Sequence, residues 1–341
     1  MSNNAFTISN VSIRPGEKGT LAMPLPEKYS CSPEYMTIKI VNGVAEGPTV
    51  LIFSVLEGHE LNGLEIINRL VDDIDPQDFA GTLIAIPVAN VYAFSHYPQQ
   101  SPSGASFAQS FPGNGEGRYH ERVAHMFTEE FIKKADLCIE LVTGSLHHSI
   151  LPQVYCNFDN KKAKSLAKVF ATPVITNVSI QDNSIRDTTE SLNIPMLVYE
   201  AGEALRFDES AIVAGLQGAK NVLAEMGSLT VNTEENSVEP MFSQDEEWIT
   251  APTSGILYSS ATLGQVIHKG EVLGKISDPF APDRVLTVTS TQTGVLVGIN
   301  NAPLVHEGLS IFKIVSFLDN DKAESVITDW EESQPPVEDS Q

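Results

Sequence analysis

Over its first two thirds, the chain alternates between apolar runs of strand length and amphipathic stretches of helical length. Residues 49–56 form an apolar run rich in β-branched side chains, and residues 62–71 then place apolar side chains at helical spacing. The same periodicities predict further strands at 35–41, 81–89, 135–144 and 194–202, and helices at 118–134, 166–170 and 208–226. Strands that alternate with helices predict an α/β fold, with a mainly parallel mixed sheet and helices on both faces.

Two connections stand out by composition. Asn42-Gly43 follows the alternating residues 35–41, and this dipeptide favours a tight turn between antiparallel strands, so we predict a hairpin there. Residues 90–117 are rich in Ser, Pro and Gly and predict a long loop. A loop of that length inside a compact domain is usually functional or disordered.

The composition changes after Met226. Residues 227–247 are polar, acidic and weakly periodic, which predicts a linker. Residues 248–317 contain short apolar runs separated by glycine-containing turns, a pattern typical of a small all-β unit. We therefore predict an α/β domain over 1–226, a linker, a β unit over 248–317 and an acidic, disordered tail over 318–341.

The formal net charge of −23 disfavours nucleic acids and anionic membranes as partners, because both need basic patches. The chain has no apolar run long enough for a membrane span and no basic-then-apolar N-terminus typical of a signal peptide. Its cysteines, Cys31, Cys138 and Cys156, are too widely spaced to indicate a disulfide framework or a CxxC metal knuckle. We expect a soluble, cytoplasmic protein.

The stretch Glu57-Gly58-His59-Glu60 carries candidate chemistry, because it directly follows the predicted strand at 49–56. Open α/β sheets bind their ligands at the carboxyl ends of parallel strands. Glu57 and Glu60 therefore predict an acidic pocket at that edge of the sheet.

Several motifs occur in a fixed order over about residues 35–225. They are Asn42-Gly43 with Gly47-Pro48-Thr49, Glu60-Leu61-Asn62-Gly63, Ser110-Phe111-Pro112-Gly113, Thr143-Gly144, and Glu200 with Gly202. In this order they resemble the succinylglutamate desuccinylase/aspartoacylase family, which belongs with the zinc carboxypeptidases. Segments 251–255, 270–274 and 294–297 resemble the barrel-sandwich β module that often follows this catalytic domain. The resemblance implies a zinc-carboxypeptidase-like fold and zinc-dependent deacylation.

The resemblance also assigns roles to particular positions. The family's zinc ligands, a His and a Glu in a His-Gly-x-Glu loop and a His in Leu-His-Thr-Gly, fall on Glu57, Glu60 and Val142. The family's general base falls on Glu200. Its substrate-gripping Asp-Leu-Asn-Arg falls on Ser106-Phe107-Ala108-Gln109. Both zinc histidines and the substrate arginine are thus replaced.

These replacements weaken the metal site and the substrate site together. A catalytic zinc takes three protein ligands, and Val142 cannot be one of them. The remaining carboxylates of Glu57 and Glu60 favour hard cations such as Mg²⁺, Ca²⁺ or Mn²⁺ over zinc. Gln109 lacks the guanidinium fork that grips a carboxylate. We expect a degraded zinc site, with a hard divalent cation or no metal bound.

Four carboxylates remain as pocket candidates: Glu57, Glu60, Glu140 and Glu200. Without a cation they repel one another, so at least one pKa should rise. Such a cluster needs a counter-charge, which a hard metal ion, a basic ligand or a lysine of a partner could supply. In the alternative, some of these side chains point elsewhere and are merely solvated.

Three histidines are candidate substitute ligands. His59 lies beside Glu60, at a position that in the family is variable and faces away from the metal. His147 and His148 follow the Thr143-Gly144 turn closely enough to swing back toward it.

The leading hypothesis is a pseudoenzyme, a non-catalytic binding or regulatory subunit with an acidic pocket. Its partner would be a small molecule, a basic ligand or an active paralogue, and we expect a homo-oligomer. The alternative is an active metal-dependent hydrolase of an N-acyl amino acid or a similar amide or ester. Its ligand set would be rebuilt around Glu57, Glu60 and one displaced histidine, with Glu200 as the base. A third hypothesis is a purely structural protein.

Overall fold

The computed structural model describes residues 2–27, 33–96, 106–230 and 239–334. The helices in these ranges are α1 (Leu61–Asp73), α2 (Val91–His96), α3 (Tyr119–Glu130), α4 (Lys161–Phe170), α5 (Ile185–Ser191), α6 (Glu209–Glu225) and α7 (Ala323–Ser333). The first ten strands are β1 (Phe6–Ile8), β2 (Val11–Ile13), β3 (Glu17–Pro24), β4 (Tyr35–Asn42), β5 (Ala45–Ser54), β6 (Ala80–Ile86), β7 (Leu137–Gly144), β8 (His148–Cys156), β9 (Val174–Asn177) and β10 (Met196–Glu203). The later strands are β11 (Met241–Thr250), β12 (Gly255–Ser259), β13 (Val266–Ile267), β14 (Val272–Asp278), β15 (Ala281–Thr289), β16 (Gly294–Asn300), β17 (Leu304–Val305) and β18 (Ser310–Phe317).

One large mixed sheet organises the described part of the chain. Its twelve strands lie in the order β13-β16-β18-β11-β9-β8-β10-β7-β5-β6-β4-β3. The central strands β10, β7, β5 and β6 are parallel, whereas β8 and β4 run antiparallel to the outer members of this group. The predicted α/β class and mixed sheet are confirmed. The prediction that this sheet is mainly parallel is wrong for the twelve strands as a whole, because five neighbouring pairs are parallel and six are antiparallel.

Alternation along the central strands produces one hydrophobic core on each face of the sheet. Val50 and Ile52 pack with α1, α4 and α6, whereas Leu51 and Phe53 pack with α3. Since successive side chains of a strand point to opposite faces, an apolar run such as 50–53 needs cover on both sides. Helices therefore lie on both faces, as predicted.

The predicted hairpin at Asn42-Gly43 is wrong. β4 and β5 do not pair with each other, because β6 lies between them and pairs with both. Neither Asn42 nor Gly43 has the positive φ that a type I′ turn requires. The Asn42 side chain is instead buried, donating to the carbonyl oxygens of Asn4 and Ile13. It fixes the N-terminal segment to the sheet.

The C-terminal strands form an all-β unit that is continuous with the large sheet. β15, β14, β12 and β17 make a separate four-stranded sheet, and one hydrophobic cluster is drawn from residues 249–314 alone. However, β16 also pairs with β8, and β11 pairs with β9. The β unit predicted from the sequence is therefore present, but it shares a sheet with the α/β part.

The predicted linker over 227–247 is wrong in its last part. Met241 begins β11, which pairs with β9 and β18, while residues 231–238 lie outside the described ranges. The acidic side chains of Asp245 and Glu246 are exposed. Their polarity conceals a strand, because a strand can pair along its backbone while its acidic side chains face solvent.

The predicted disorder of the tail is also wrong over its first part. Residues 323–333 form α7, and Trp330 is 6% exposed, while residues 335–341 lie outside the described ranges. The indole N–H of Trp330 donates to the carbonyl oxygen of Ala171 at 3.0 Å. One large aromatic side chain thus docks an otherwise acidic helix.

Two further expectations concern membrane spans and the cysteines. Among the described helices, none is both long enough and apolar enough to cross a membrane. Cys138 and Cys156 are buried and unpaired, whereas Cys31 lies outside the described ranges.

Replacing Trp330 by alanine tests whether α7 belongs to the folded unit. We expect Trp330→Ala to lower the free energy of unfolding by about 3–5 kcal/mol, the usual cost of removing a buried tryptophan side chain. Urea denaturation measures this loss. The exposed neighbour Asp329 supplies the control, since Asp329→Ala should change stability by less than about 0.5 kcal/mol. Equal small effects of both variants would mean that the helix does not dock in solution.

Candidate functional site

A cavity of about 310 Å³ opens at the carboxyl ends of β5, β7 and β10. The parallel register aligns Phe53, Glu140 and Val198 across these three strands, so the residues that follow reach one edge of the sheet. All four candidate carboxylates line this cavity. The predicted acidic pocket is therefore present in the structure.

The loop between β5 and α1 forms one wall of the cavity. Val55 has a φ of +60°, a rare conformation for a β-branched residue and a mark of local strain. Gly58 has a φ of +88°, and a Cβ there would lie 2.6 Å from the backbone of Ala93. Only glycine fits at that point, and the tight loop returns Glu60 to the start of α1.

Glu60 is held inside this loop by backbone N–H groups. Its Oε2 accepts hydrogen bonds from the amides of Leu56 at 2.7 Å and Glu57 at 3.2 Å, and the residue is only 2% exposed. Burial, followed by the nearby charge of Glu140, raises the pKa of Glu60 to about 8. The expected rise in pKa is confirmed, although burial contributes more than mutual repulsion.

Glu140 has a counter-charge from within the chain. It is 4% exposed, and the Arg186 guanidinium nitrogen Nη2 lies 3.4 Å from its Oε2. Burial raises the pKa of Glu140, and the Arg186 charge opposes that rise. Arg186 of α5 therefore balances part of the cluster's negative charge. From the sequence, only a metal ion, a ligand or a partner is expected in this role.

Glu200 is held from the other side of the cavity. The Tyr155 hydroxyl donates to Glu200 Oε2 at 2.8 Å, and Lys313 Nζ donates to the same hydroxyl at 2.8 Å. Lys313 also lies 3.0 Å from Glu246 Oε2. A chain of polar contacts thus runs from β18 to the cavity.

The residues that the resemblance assigns to the family's three ligand positions do not fit zinc. Val142 lines the cavity next to Glu200 in the sheet register and offers no donor atom. Glu60 has one carboxylate oxygen engaged by two amides, as described above. Within the described ranges, no three His, Cys, Asp or Glu side chains come together in a group that could hold a metal ion. A zinc site needs such a group.

The residues that the resemblance assigns to the family's substrate-gripping positions are part of the cavity lining. Ser106, Ala108 and Gln109 all line it, at a 3₁₀ turn spanning Phe107–Gln109. Phe107 anchors this turn, with its ring centroid 5.1 Å from that of Phe111. The turn presents hydroxyl, methyl and amide groups to the cavity, with no positive charge.

The three candidate histidines have different surroundings. His59 lines the cavity, contrary to the expectation that it faces away, and burial lowers its pKa while Glu57 opposes that change. His148 lies beneath the C-terminal strands, with Nε2 3.0 Å from the carbonyl oxygen of Ser310. His147 is exposed, with Nδ1 4.0 Å from Glu203 Oε1. Neither His147 nor His148 is among the residues lining the cavity.

Sequence reasoning missed Arg186, Tyr155 and Lys313. Arg186 and Tyr155 occur in stretches with no motif that would single them out. Lys313 had a usable signal, because it interrupts the apolar run at 311–315 of a strand that is otherwise buried. A lysine in such a run must find a buried partner.

The pKa of Glu60 predicts a pH dependence of stability. The folded protein keeps this proton up to about pH 8, whereas the unfolded chain releases it near the ordinary value of 4.5. The stabilising contribution is therefore complete below about pH 4.5 and is lost as the pH rises through 8. Relative to Glu60→Gln, the parent should lose up to about 4 kcal/mol of unfolding free energy over this window, at 1.36 kcal/mol per pKa unit.

Urea denaturation at several pH values between about 5 and 8 measures the difference. Glu116→Gln, at an exposed position, supplies the control and should reproduce the pH profile of the parent. Identical profiles for the parent and Glu60→Gln would contradict the assignment of a proton to Glu60.

Comparisons with known proteins agree with this architecture. A model of the succinylglutamate desuccinylase/aspartoacylase catalytic domain matches residues 46–226, just over half of the chain. The N-alpha-acetyl-L-2,4-diaminobutyric acid deacetylase of Halomonas elongata is 23% identical over 274 residues, which are 77% of this chain and 80% of that protein.

Solved structures share the fold. The product-bound ectoine utilization protein EutE (DoeB) from Ruegeria pomeroyi superposes with a TM-score of 0.80 at 18% identity, covering 92% of this chain and 99% of that one. A succinylglutamate desuccinylase/aspartoacylase from Rhodobacter sphaeroides gives a TM-score of 0.77 at 20% identity, covering 88% of this chain and 95% of that one. Together with the family model, these matches show that the chain belongs to the succinylglutamate desuccinylase/aspartoacylase family.

Proposed function

We propose that this member of a deacylase family binds a small cationic ligand in its acidic cavity and does not carry out zinc-dependent hydrolysis. The single observation that supports this most strongly is that Val142, which the sequence resemblance aligns with a zinc ligand, lines the cavity. A methyl-bearing side chain there removes one of three ligands and leaves only carboxylates at the other two positions.

The charge balance of the cavity favours a cationic ligand. Glu57 and Glu200 line it together with the buried Glu60 and Glu140. Glu60 holds a proton near neutral pH, and Glu140 faces Arg186. Glu57 and Glu200 are therefore the carboxylates available to an incoming ammonium group, and a charged hydrogen bond to either would be among the stronger polar contacts.

The curated relative supports one chemical class of ligand. Its name specifies an acetylated diamino acid, a compound that keeps one free amino group on its side chain. An ammonium group of that kind matches the negative charge of this cavity. We therefore propose an acylated, basic amino acid as the ligand class. In this proposal the protein acts as a binding or regulatory subunit, alone as a homo-oligomer or with an active paralogue.

A second candidate function is a metal-dependent hydrolase with a rebuilt ligand set. The observation that favours it is His59, which lines the same cavity as Glu57 and Glu60. The backbone contacts that occupy Glu60 Oε2 oppose it, since a ligating carboxylate would have to release them or use its other oxygen.

Calorimetry with two matched compounds tests the proposed function. We expect Nα-acetyl-2,4-diaminobutyrate to bind at least tenfold more tightly than N-acetylnorvaline, which has the same shape without the charge, because one charged hydrogen bond contributes about 1.5–3 kcal/mol. Acetate release from the charged compound should not exceed the uncatalysed background. Equal affinities would refute a cationic site, and zinc-stimulated acetate release would support the second candidate.

Restoring the family's nitrogen donors tests the location of the lost metal site. The double variant Glu57→His with Val142→His should bind zinc by orders of magnitude more tightly than the parent, because imidazole is a good zinc ligand and valine is none. Competition with a fluorescent chelator measures the affinity. Glu57→Gln with Val142→Thr is the matched control and should not gain affinity. If the histidine variant binds zinc no better than this control, the ligand positions are misassigned.

A further inference from the structure

A polar chain connects the C-terminal β unit with the cavity. Lys313 Nζ, from β18, donates to Tyr155 Oη at 2.8 Å, and Tyr155 Oη donates to Glu200 Oε2 at 2.8 Å. Tyr155 belongs to β8 and Glu200 to β10. This series of hydrogen bonds therefore links a strand of the C-terminal β unit to the cavity of the α/β part.

Lys313 is held in one place by its surroundings. Its side chain is only 8% exposed, and Nζ lies 3.0 Å from Glu246 Oε2. The same nitrogen lies 5.2 Å from the ring centroid of Tyr155 and 5.9 Å from that of Trp248. A buried ammonium group is costly unless its hydrogen bonds are satisfied, and these contacts fix its position.

Tyr155 has a defined direction of donation. Burial, followed by the charge of Glu200, raises the pKa of its hydroxyl well above the ordinary value of 10, so the group keeps its proton. A lysine ammonium can only donate hydrogen bonds, and therefore the tyrosine oxygen accepts a hydrogen bond from Lys313 while its own O–H donates one to Glu200. Hydrogen bonds linked in this way strengthen one another in a buried site.

Other neighbours of Glu200 among the described residues do not donate a hydrogen bond to its carboxylate. Gln153 lies directly opposite Glu200 on β8, but its fully buried amide has no hydrogen-bond partner among the described residues. Val142, opposite on β7, is apolar. Glu140, which feels the charge of Glu200, pairs instead with Arg186.

We infer that Lys313 is a positioning residue that acts through Tyr155 to hold the Glu200 carboxylate in place for the ammonium group of the ligand. The inference rests on the proposed function and adds that the C-terminal β unit takes part in ligand selection. Oε2 of Glu200 is fixed by the hydroxyl, and the described residues donate no hydrogen bond to Oε1. That oxygen is the one we assign to the ligand.

A double-mutant cycle tests this role. Nα-acetyl-2,4-diaminobutyrate and N-acetylnorvaline are titrated into the parent, Lys313→Met, Glu200→Gln and the double variant by calorimetry. Lys313→Met should weaken the charged compound about tenfold to a hundredfold and the neutral compound less than about twofold. In the Glu200→Gln background the same substitution should have no further effect, because both changes remove one interaction. Lys220→Met is the matched control, because it removes a lysine of α6 that is paired with Asp73 of α1.

A purely structural role would give a different pattern. Equal weakening of both compounds, or the same loss in the Glu200→Gln background, would overturn the inference while leaving the proposed function intact. Absence of binding by the parent would refute the proposed function alone. In that case, crystal structures of the parent and Lys313→Met decide the inference without a ligand. We expect the Tyr155–Glu200 hydrogen bond of 2.8 Å in the parent to be lost in the variant, and an unchanged bond would overturn the positioning role.

Discussion

Burial of carboxylates at the end of a parallel sheet is the constraint on which this cavity depends. A carboxylate removed from water is costly unless a proton, a counter-charge or a hydrogen-bond donor compensates it. Three of the four carboxylates around the cavity have such compensation. Glu60 keeps a proton and accepts two backbone hydrogen bonds, Glu140 faces Arg186, and Glu200 accepts from Tyr155. The fourth carboxylate, that of Glu57, is exposed to solvent.

The side chains that compensate the carboxylates come from distant parts of the sequence, and the large sheet brings them together. β8 pairs with β10 on one side and with β16 on another, so the C-terminal strands lie against the strands that form the cavity. Lys313 reaches Tyr155 because of this continuity. The β unit therefore shares hydrogen bonds with the α/β core, and its loss would remove the Lys313 ammonium group from Tyr155.

Local patterns in the sequence predict the central architecture and the location of the site. The apolar run at 50–56, the glycine at 58 and the helical spacing after it place Glu57 and Glu60 at the carboxyl end of β5, where the structure has them. The failures have a common physical cause, which is that pairing between distant segments leaves little trace in local periodicity. Thus β6 separates β4 from β5, acidic residues conceal β11, and Trp330 docks a helix predicted to be disordered. Sequence analysis missed Arg186 and Tyr155 for the same reason, since their roles depend on the residues that the fold places beside them.

The central claim is that these side chains do not hold zinc as the family's do. Elemental analysis of the purified, tag-free protein, paired with a calorimetric zinc titration, tests it most directly. We predict far less than one zinc per chain and no specific high-affinity binding, with the same result for Glu60→Ala. Near-stoichiometric zinc in the parent that is lost in Glu60→Ala would contradict the account and would direct the search for a third ligand to His59.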